Sequence, residues 1–429
     1  MAYQTRNQNQ QVDKIAIEGG KKLEGTIDIS GAKNAALPII AASLLAKEEV
    51  ILHNVPRLGD IYTLIDLLKS VGAKITYKNG TVHCDAANLT EKALANNALA
   101  NEIRYSIHVA SALLSRINKI RIPVPGGCAI GTRRLDSYIQ ALTMLGARVD
   151  IKNEHIELES GRLRGSHISL EYPSVSATEN ALIVACLVDG TSVVENVAKE
   201  PEVVDLANFL NSMGAKIEGA GTEVIRLKGV DKLSGTQYSI IHDRIETGTY
   251  IIASAITEGN ILIKKADLSL LGSVVTKLRE VGVEIDETND GVRVASPDRL
   301  CPVDIVTEVY PGFPTDMQPI ITPLLSMADG ESTIKETIFD NRFRHVPELV
   351  KMGARIRVIG DTMFITTANA FKGTEVDATD IRSGGALILA GLIAEGNTTI
   401  NNAHLILRGY EAPVEKLRNV GAQVYYVYK

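Results

Sequence analysis

A short pattern, hydrophobic-Gly-Ala-x-hydrophobic with Val in place of Ala in one copy, occurs six times along the chain. Successive copies lie 68 to 74 residues apart, and their glycines are Gly72, Gly146, Gly214, Gly282, Gly353 and Gly421. Each glycine follows a stretch with apolar residues at helical spacing, such as Asp60–Ser70, and precedes a strand-like run, such as Lys74–Tyr77. A glycine that ends a helix commonly takes the left-handed conformation. The spacing therefore predicts six copies of one unit of about 70 residues.

A second feature recurs, in which an apolar helix leads through a turn into a strand, as in Ala253–Gly259 before Asn260–Lys264. Each unit would then hold two helices and several short strands, which is too little core for independent stability. Six such units pack most simply as three plus three, and the length of 429 residues also predicts two domains. A solenoid is the alternative, although units of this size and content do not match the common solenoid periods.

The composition excludes several classes of protein. Hydrophobic residues make up 45% of the chain and charged residues 22%, which is ordinary for a globular protein. A net charge of −6 without a basic tract argues against binding to nucleic acid or to an anionic membrane surface. The longest apolar stretches, Ala35–Ala46 and Gly384–Ala394, are shorter than the roughly 18 residues of a membrane span.

The cysteines and the first residues bear on the compartment. Four cysteines in a chain of this length predict neither a disulfide framework nor a zinc site, and no secretory signal is recognised. A cytoplasmic location is therefore expected. Residues 1–11 are rich in Gln and Asn and are expected to form a disordered tail.

Three segments interrupt the repeats with side chains suited to chemistry. Lys33 and Asn34 follow Ser-Gly at a predicted helix start, where free N–H groups and a lysine suit an anion, although a solvated lysine would also fit. Cys128 lies in a Pro- and Gly-rich loop and is followed by two arginines, which favour a reactive thiolate. Asp316 follows a second Pro- and Gly-rich loop, where it could be functional or could only cap a helix.

Arginines in turn or Gly-rich contexts form a fourth set, which consists of Arg104, Arg342, Arg382 and Arg408. A surface salt bridge explains any one of them, whereas several in one cleft would suit bidentate capture of phosphate or carboxylate. The motifs typical of nucleotide loops, nucleophile elbows and zinc proteases are absent from the sequence, and its eight histidines occur singly.

Five motifs together resemble one family, the UDP-N-acetylglucosamine 1-carboxyvinyltransferases, which are the enolpyruvyl transferases of peptidoglycan synthesis. The resemblance extends from about Val12 to the C-terminus, and the motifs are the segments 31–36, 125–131, 243–249, 312–318 and 408–411. The related shikimate-phosphate enolpyruvyl transferases would have Lys-Ser in place of Lys33-Asn34 and would lack the Cys128 loop.

The resemblance implies an α/β fold, a two-domain inside-out barrel built from six repeats of short strands and paired helices, three per domain. One domain would consist of residues 12–33 and 242–429, and the other of residues 34–241 with the cysteine loop at about 123–135. The active site would lie in the cleft between the two domains.

The implied reaction transfers enolpyruvate from phosphoenolpyruvate to the 3-hydroxyl of UDP-N-acetylglucosamine, with release of phosphate. It is the first committed step of peptidoglycan synthesis and the target of fosfomycin. By resemblance, Cys128 is the general acid, Asp316 takes the hydroxyl proton, and Lys33 is a catalytic residue that binds phosphoenolpyruvate. The substrate-binding residues implied are Asn34, Arg104, Arg133, Asp136, Ser174, Val175, Ile338, Arg342, Asp380, Arg382 and Arg408. The resemblance implies no cofactor and no metal, and as partners only phosphoenolpyruvate and a UDP-sugar, without nucleic acid or membrane insertion.

Some positions differ from the family pattern at the uridine end of the acceptor pocket, and they are Arg134, Tyr138, Tyr172 and Ser176. A further difference is His108, where the family has Trp. Tyr138 and Tyr172 could stack on the uracil or form hydrogen bonds with it. An enolpyruvyl transferase that uses another nucleotide or sugar hydroxyl in secondary metabolism is therefore one alternative, and a non-catalytic anion-binding scaffold is a second.

Overall fold

The computed structural model describes residues 12–90, 98–123, 136–152, 155–296 and 299–428. The strands of that part of the chain are β1 (Val12–Glu18), β2 (Glu24–Asp28), β3 (Val50–His53), β4 (Lys74–Lys78), β5 (Thr81–Asp85), β6 (Lys119–Pro123), β7 (Arg148–Lys152), β8 (His155–Glu159), β9 (His167–Ser169), β10 (Thr191–Glu195), β11 (Lys216–Glu218), β12 (Val224–Lys228), β13 (Gln237–Ser239), β14 (Asn260–Lys264), β15 (Glu284–Thr288), β16 (Gly291–Ala295), β17 (Asp304–Val306), β18 (Glu331–Lys335), β19 (Arg355–Ile359), β20 (Thr362–Thr366), β21 (Glu375–Asp377), β22 (Asn397–Asn401) and β23 (Gln423–Tyr428).

The helices alternate with these strands. They are α1 (Lys33–Ala42), α2 (Gly59–Ser70), α3 (Ala98–Glu102), α4 (Ser106–Leu114), α5 (Asp136–Met144), α6 (Val175–Ala185), α7 (Pro201–Ser212), α8 (Arg244–Ile256), α9 (Gly272–Val281), α10 (Gln318–Leu325), α11 (Val346–Lys351), α12 (Ile381–Ile393), α13 (Ala403–Ile406) and α14 (Pro413–Asn419). Short 3-10 helices span Ser43–Leu45, Leu268–Leu271 and Thr315–Met317.

The six predicted units are confirmed, because each corresponds to one sheet. Five sheets have four strands in the same arrangement, in which a parallel pair is extended by two antiparallel strands, and their orders are β13-β3-β5-β4, β9-β10-β12-β11, β2-β14-β16-β15, β17-β18-β20-β19 and β21-β22-β1-β23. In the sixth sheet the described residues form the antiparallel order β6-β8-β7.

The six repeated glycines have the conformation that the pattern predicts. Their φ angles lie between +96° and +107°, a region that residues with a Cβ rarely adopt. Each glycine comes two residues before an antiparallel outer strand of its sheet, as Gly72 precedes β4 and Gly421 precedes β23. A left-handed residue here ends the helix and turns the chain directly into the next strand.

The described residues divide into two compact units with separate hydrophobic cores. The C-terminal unit contains residues 12–30 and 242–428, and the N-terminal unit contains the described residues between 31 and 241. In the C-terminal unit, β1 pairs with both β22 and β23, and β2 pairs with β14. The solenoid alternative is therefore wrong, because a solenoid repeat contacts only its neighbours along the chain.

Three helices in each unit are buried over nearly all of their residues, namely α1, α4 and α6 in the N-terminal unit and α8, α10 and α12 in the C-terminal unit. In the C-terminal unit these helices pack against one another, and in the N-terminal unit α4 packs against both α1 and α6. Helices that are apolar on all sides belong inside a core. With helices inside and sheets around them, each unit is an inside-out α/β barrel, as the resemblance implies.

Candidate active site

Asp316 lies in the short 3-10 helix that leads into α10 of the C-terminal unit. The preceding residue, Thr315, is held by Glu336, whose Oε2 accepts a hydrogen bond from the Thr315 hydroxyl at 2.9 Å. Glu336 Oε1 also accepts the backbone N–H groups of Ile338 and Phe339, at 2.8 and 3.1 Å. Glu336 therefore joins the turn that carries Asp316 to the loop that carries the half-buried Ile338.

Two buried arginines bind the Asp316 carboxylate. Arg342 Nη2 donates to Asp316 Oδ1 at 2.6 Å, and its Nε donates to the Thr315 carbonyl at 3.2 Å. Arg382 donates to Asp316 Oδ2 through Nη2 at 2.9 Å and through Nε at 3.1 Å. Arg342 and Arg382 are 3% and 5% exposed, whereas the Asp316 side chain is 26% exposed. The structure therefore brings together three residues that the sequence analysis selected separately.

Arg382 is oriented by its position in the first turn of α12. Asp380 caps this helix, because its Oδ1 accepts the backbone N–H groups of Arg382 and Ser383, at 2.9 and 3.1 Å. Asp380, which the resemblance assigns to substrate binding, therefore also has a structural role as the cap of α12. Burial opposes the charge of Arg382, but Asp316 beside it has the opposite effect, and the pKa of Arg382 is raised.

Tyr410 lies against the same guanidinium. The Arg382 Cζ atom is 5.5 Å from the centroid of the Tyr410 ring, a distance suited to a cation–π contact. The Tyr410 hydroxyl is 3.2 Å from Thr249 Oγ1, and burial raises the pKa of the phenol, so this tyrosine is neutral at ordinary pH. Arg408 lies two residues before Tyr410 and is half-buried.

In the N-terminal unit, Lys33 and Asn34 form the start of α1. The Lys33 ammonium lies 2.7 Å from Asp60 Oδ2, and the two side chains are 8% and 11% exposed. The alternative of a solvated lysine is therefore wrong. Asn34 is half-buried beside it.

Arg104 lies between α3 and α4, and one turn further along the chain is His108. His108 Nε2 is 2.7 Å from Glu179 Oε2, and both side chains are buried. Burial, with a smaller contribution from the Arg104 charge, lowers the pKa of His108 to about 3. Burial, with a smaller contribution from Glu202, raises the pKa of Glu179 well above its usual range. Burial therefore disfavours the charged form of both groups, which are joined by one hydrogen bond between His108 Nε2 and Glu179 Oε2.

Other residues of this unit that the resemblance assigns to the acceptor lie at helix starts. Ser174 caps α6, since its Oγ accepts the Ala177 N–H at 3.3 Å, and Val175 is the first residue of that helix. Asp136 is the exposed first residue of α5. One expectation needs correction, because Tyr138 is only 2% exposed and packs in the core of this unit, so its ring does not offer a face to a uracil. Tyr172 is 46% exposed.

Cys128, Arg133 and Arg134 lie outside the described residues, as do the other residues of 124–135 and the predicted tail 1–11. Among the described cysteines, Cys84 and Cys186 are buried, and burial raises their pKa to about 11 and about 12. Cys301 is exposed.

Two general properties follow from the described residues. None of their helices has both the length and the apolar character that crossing a bilayer requires. They also contain no group of three or more His, Cys, Asp or Glu side chains arranged to hold a metal ion.

Sequence reasoning missed two parts of these clusters. The sequence pattern identifies Asp60 only as the start of an amphipathic helix, although an acid in a first helical turn is a signal that could be paired with Lys33. Tyr410 and Thr249 both lie within recognised motifs. Their support of Arg382 has no local sequence signature, because it depends on the packing of α8 against α12.

Known proteins are similar to this chain over nearly its whole length. A sequence profile described as EPSP synthase (3-phosphoshikimate 1-carboxyvinyltransferase) matches residues 17–417. A UDP-N-acetylglucosamine 1-carboxyvinyltransferase of Solidesulfovibrio magneticus is 47% identical over 414 residues, which are 96% of this chain and 99% of that protein. Proteins of the same name from Caldanaerobacter subterraneus subsp. tengcongensis and Carboxydothermus hydrogenoformans are 46% and 45% identical, each over 96% of this chain and 99% of its own length.

Solved structures share the fold. The enolpyruvyl transferase NikO from Streptomyces tendae superposes with a TM-score of 0.89 at 25% identity, covering 98% of this chain and 100% of that one. An EPSP synthase from Acinetobacter baumannii superposes with a TM-score of 0.73 at 18% identity, covering 97% and 100%.

Proposed function

Because this chain belongs to the UDP-N-acetylglucosamine 1-carboxyvinyltransferases, within the larger EPSP synthase family, we propose that it transfers enolpyruvate from phosphoenolpyruvate to the 3-hydroxyl of UDP-N-acetylglucosamine. Phosphate is released, and the product serves peptidoglycan synthesis. The likeness to the three relatives along nearly the whole chain is the observation that carries this assignment. The enzyme is accordingly a transferase that acts on small molecules, and we place it in the cytoplasm.

The reaction needs a base for the attacking hydroxyl and an acid for the enol ether. Asp316 takes the hydroxyl proton while the sugar oxygen forms a bond to C2 of phosphoenolpyruvate, and Cys128 protonates C3. The tetrahedral adduct then loses a proton from C3 as the bond between C2 and the phosphate oxygen breaks. Each of these proton transfers typically contributes about 10²- to 10⁴-fold to the rate.

The donor is a small anion that needs several cations at once. Lys33, Arg133 and Arg408 bind phosphoenolpyruvate in this proposal, and Arg104, Arg342 and Arg382 are further cationic groups of the same kind. The burial of Arg342 and Arg382 supports their part, since a guanidinium binds an anion more strongly where water is excluded.

The acceptor is contacted by residues that carry little charge or lie at helix starts. Asn34 and Asp136 are assigned to the sugar and diphosphate side, with Ser174 and Val175 at the start of α6. Ile338 and Asp380 complete the set in the C-terminal unit, where both are half-buried.

Phosphate release from purified protein tests the proposal directly. Phosphoenolpyruvate is offered with UDP-N-acetylglucosamine, with other UDP-sugars, with UMP and with unrelated hydroxyl compounds. We expect release with UDP-N-acetylglucosamine and a product heavier by one enolpyruvyl group in mass spectrometry. Turnover of UMP alone would contradict the acceptor while leaving the donor chemistry intact. The absence of release with every acceptor would favour the non-catalytic scaffold.

A further inference from the structure

Both oxygens of the Asp316 carboxylate are occupied by guanidinium groups. Arg342 donates to one oxygen at 2.6 Å, and Arg382 donates twice to the other, at 2.9 and 3.1 Å. Hydrogen bonds to the ionised form of a carboxylate stabilise that form, so the group accepts a proton less readily. An Asp316 that stays in these bonds is therefore a poor base for a substrate hydroxyl.

The two arginines expose little surface to solvent at which they could bind another group. Arg342 and Arg382 are almost fully buried, and Arg382 is fixed further by the Tyr410 ring and by the cap of α12. The planar guanidinium fork fits a carboxylate and a phosphate equally well. The N–H groups that hold Asp316 are thus the same donors that an anionic substrate would need.

We propose that Asp316 and the anionic donor substrate compete for Arg342 and Arg382. The arriving phosphoenolpyruvate anion takes guanidinium hydrogen bonds from Asp316, and the carboxylate so released accepts the proton of the acceptor hydroxyl. Donor binding and activation of the base are then one event. This inference rests on the proposed function, since it takes phosphoenolpyruvate as the anion.

The exchange breaks and forms only hydrogen bonds before the proton moves. The arginines keep an anionic hydrogen-bond acceptor, which is first Asp316 and then the substrate. Their buried charge is compensated throughout, which matters because an uncompensated buried charge is costly. Without the donor, Asp316 stays bound and its carboxylate is not available to acceptor alone.

A neutral residue at position 316 separates competition from a direct role in binding. Phosphoenolpyruvate is titrated into the full chain and into Asp316→Asn, and the heat of binding is measured. We expect the variant to bind phosphoenolpyruvate about tenfold more tightly, because charge-assisted hydrogen bonds to the competing carboxylate are lost. Titrations with inorganic phosphate and with pyruvate then show which anionic group of the substrate replaces Asp316. The group responsible is the one whose small-molecule analogue also binds Asp316→Asn more tightly than the unaltered chain.

Asp267→Asn is the matched control. Asp267 is exposed, caps a 3-10 helix of the same unit through Ser269, and has no part in the arginine cluster. Its loss also removes one negative charge, and we expect the affinity for phosphoenolpyruvate to stay within twofold of the unaltered chain. Equal gains in both variants, or an unchanged or weaker affinity of Asp316→Asn, would overturn the proposal.

The unaltered chain provides a second measurement that does not depend on the variant folding. The Nε–H signal of Arg382, assigned by its loss in Arg382→Lys, is followed by nuclear magnetic resonance during addition of phosphoenolpyruvate. We expect it to shift as the partner of the guanidinium changes, and a signal that does not move at saturation would contradict the exchange. Transfer to UDP-N-acetylglucosamine is assayed separately, so a chain that binds donor by this exchange yet transfers nothing would disprove only the proposed function.

Discussion

Lys33 Nζ and Asp60 Oδ2 lie 2.7 Å apart, and both side chains are almost entirely removed from solvent. Lys33 is the first residue of α1 and Asp60 lies in the first turn of α2, so the pair joins two helices that pack against each other. A buried pair of this kind is costly to break from one side, since the remaining charge loses its partner.

Asp60→Asn is expected to destabilise the N-terminal unit by about 3 kcal/mol. The remaining ammonium of Lys33 would be left in a site with little water. The midpoint of urea unfolding measures the effect. Asp66→Asn is the matched control in the same helix, because Asp66 pairs with Lys69 at 3.4 Å on the surface and should change stability by less than about 1 kcal/mol. Equal losses in the two variants would show that burial of the pair is unimportant.

Asp316→Asn is expected to lower kcat for phosphate release by about 10²- to 10⁴-fold, the usual cost of losing a general base. Binding of UDP-N-acetylglucosamine should persist, because the change acts mainly on proton transfer. Steady-state assays with both substrates measure kcat, and calorimetry measures acceptor binding. Asp267→Asn again serves as control and should keep the kcat of the unaltered chain. A kcat of Asp316→Asn within a few-fold of that value would exclude the assigned role.

Much of the fold could be predicted because its signals are local. A left-handed glycine at the end of a helix, such as Gly72 or Gly421, is visible in a few neighbouring residues, and six evenly spaced copies define the repeat. Which strands pair is a different matter. The insertion of β1 between β22 and β23 depends on residues from opposite ends of the chain, so no short pattern reveals it.

The same contrast between local and long-range signals applies to the candidate site. Loop composition selected Asp316 and Arg382 individually, but their contact joins residues 66 positions apart and could not be deduced from either segment. The opposite error occurred at Tyr138, where a polar ring was assigned to a ligand although it packs in the core. Burial is set by the packing of α5 against α6, which the residue type does not specify.

Gly385→Ala tests the support behind Arg382. A Cβ at this position would lie 2.7 Å from the Tyr410 hydroxyl oxygen and 2.7 Å from Ile320 Cδ1, closer than such atoms approach. We expect a loss of about 1–3 kcal/mol from overpacking, together with a fall in kcat as Tyr410 is displaced. Gly272→Ala is the control, since nothing lies within 4 Å of its Cβ position, and both stability and kcat should be retained. An unchanged kcat in Gly385→Ala would separate Tyr410 from the reaction.

Fosfomycin is expected to alkylate Cys128 and no other cysteine when the acceptor is present. The two arginines that follow Cys128 in the sequence are expected to favour its thiolate. Burial raises the pKa of Cys84 and Cys186 and leaves them as thiols at neutral pH. Mass spectrometry of digested protein locates the adduct, and Cys128→Ser is the control that should take up none. An adduct on the exposed Cys301 in place of Cys128 would contradict the assignment.

The stability of the C-terminal unit should depend on pH through His345. This side chain is fully buried, its Nε2 lies 3.3 Å from Thr322 Oγ1, and burial lowers its pKa to about 4. In the unfolded chain a histidine has a pKa of about 6.5, so between those values the unfolded state binds more protons than the folded state. The stabilisation is therefore present above about pH 6.5 and is lost as the pH falls toward 4.

Urea unfolding at pH 7 and pH 5 measures this loss. The unaltered chain should be less stable at pH 5, with roughly 1–2 kcal/mol of the difference due to His345. His345→Gln should remove that part of the difference, whatever it costs in absolute stability. Comparing the two chains cancels the contributions of other titrating groups to the pH dependence of stability. Asp205 is one of them: burial raises its pKa to about 6, so its contribution has the opposite sign to that of His345. His53→Gln is the control at an exposed histidine and should keep the full difference in stability between pH 7 and pH 5. The prediction is wrong if His345→Gln also keeps the full difference.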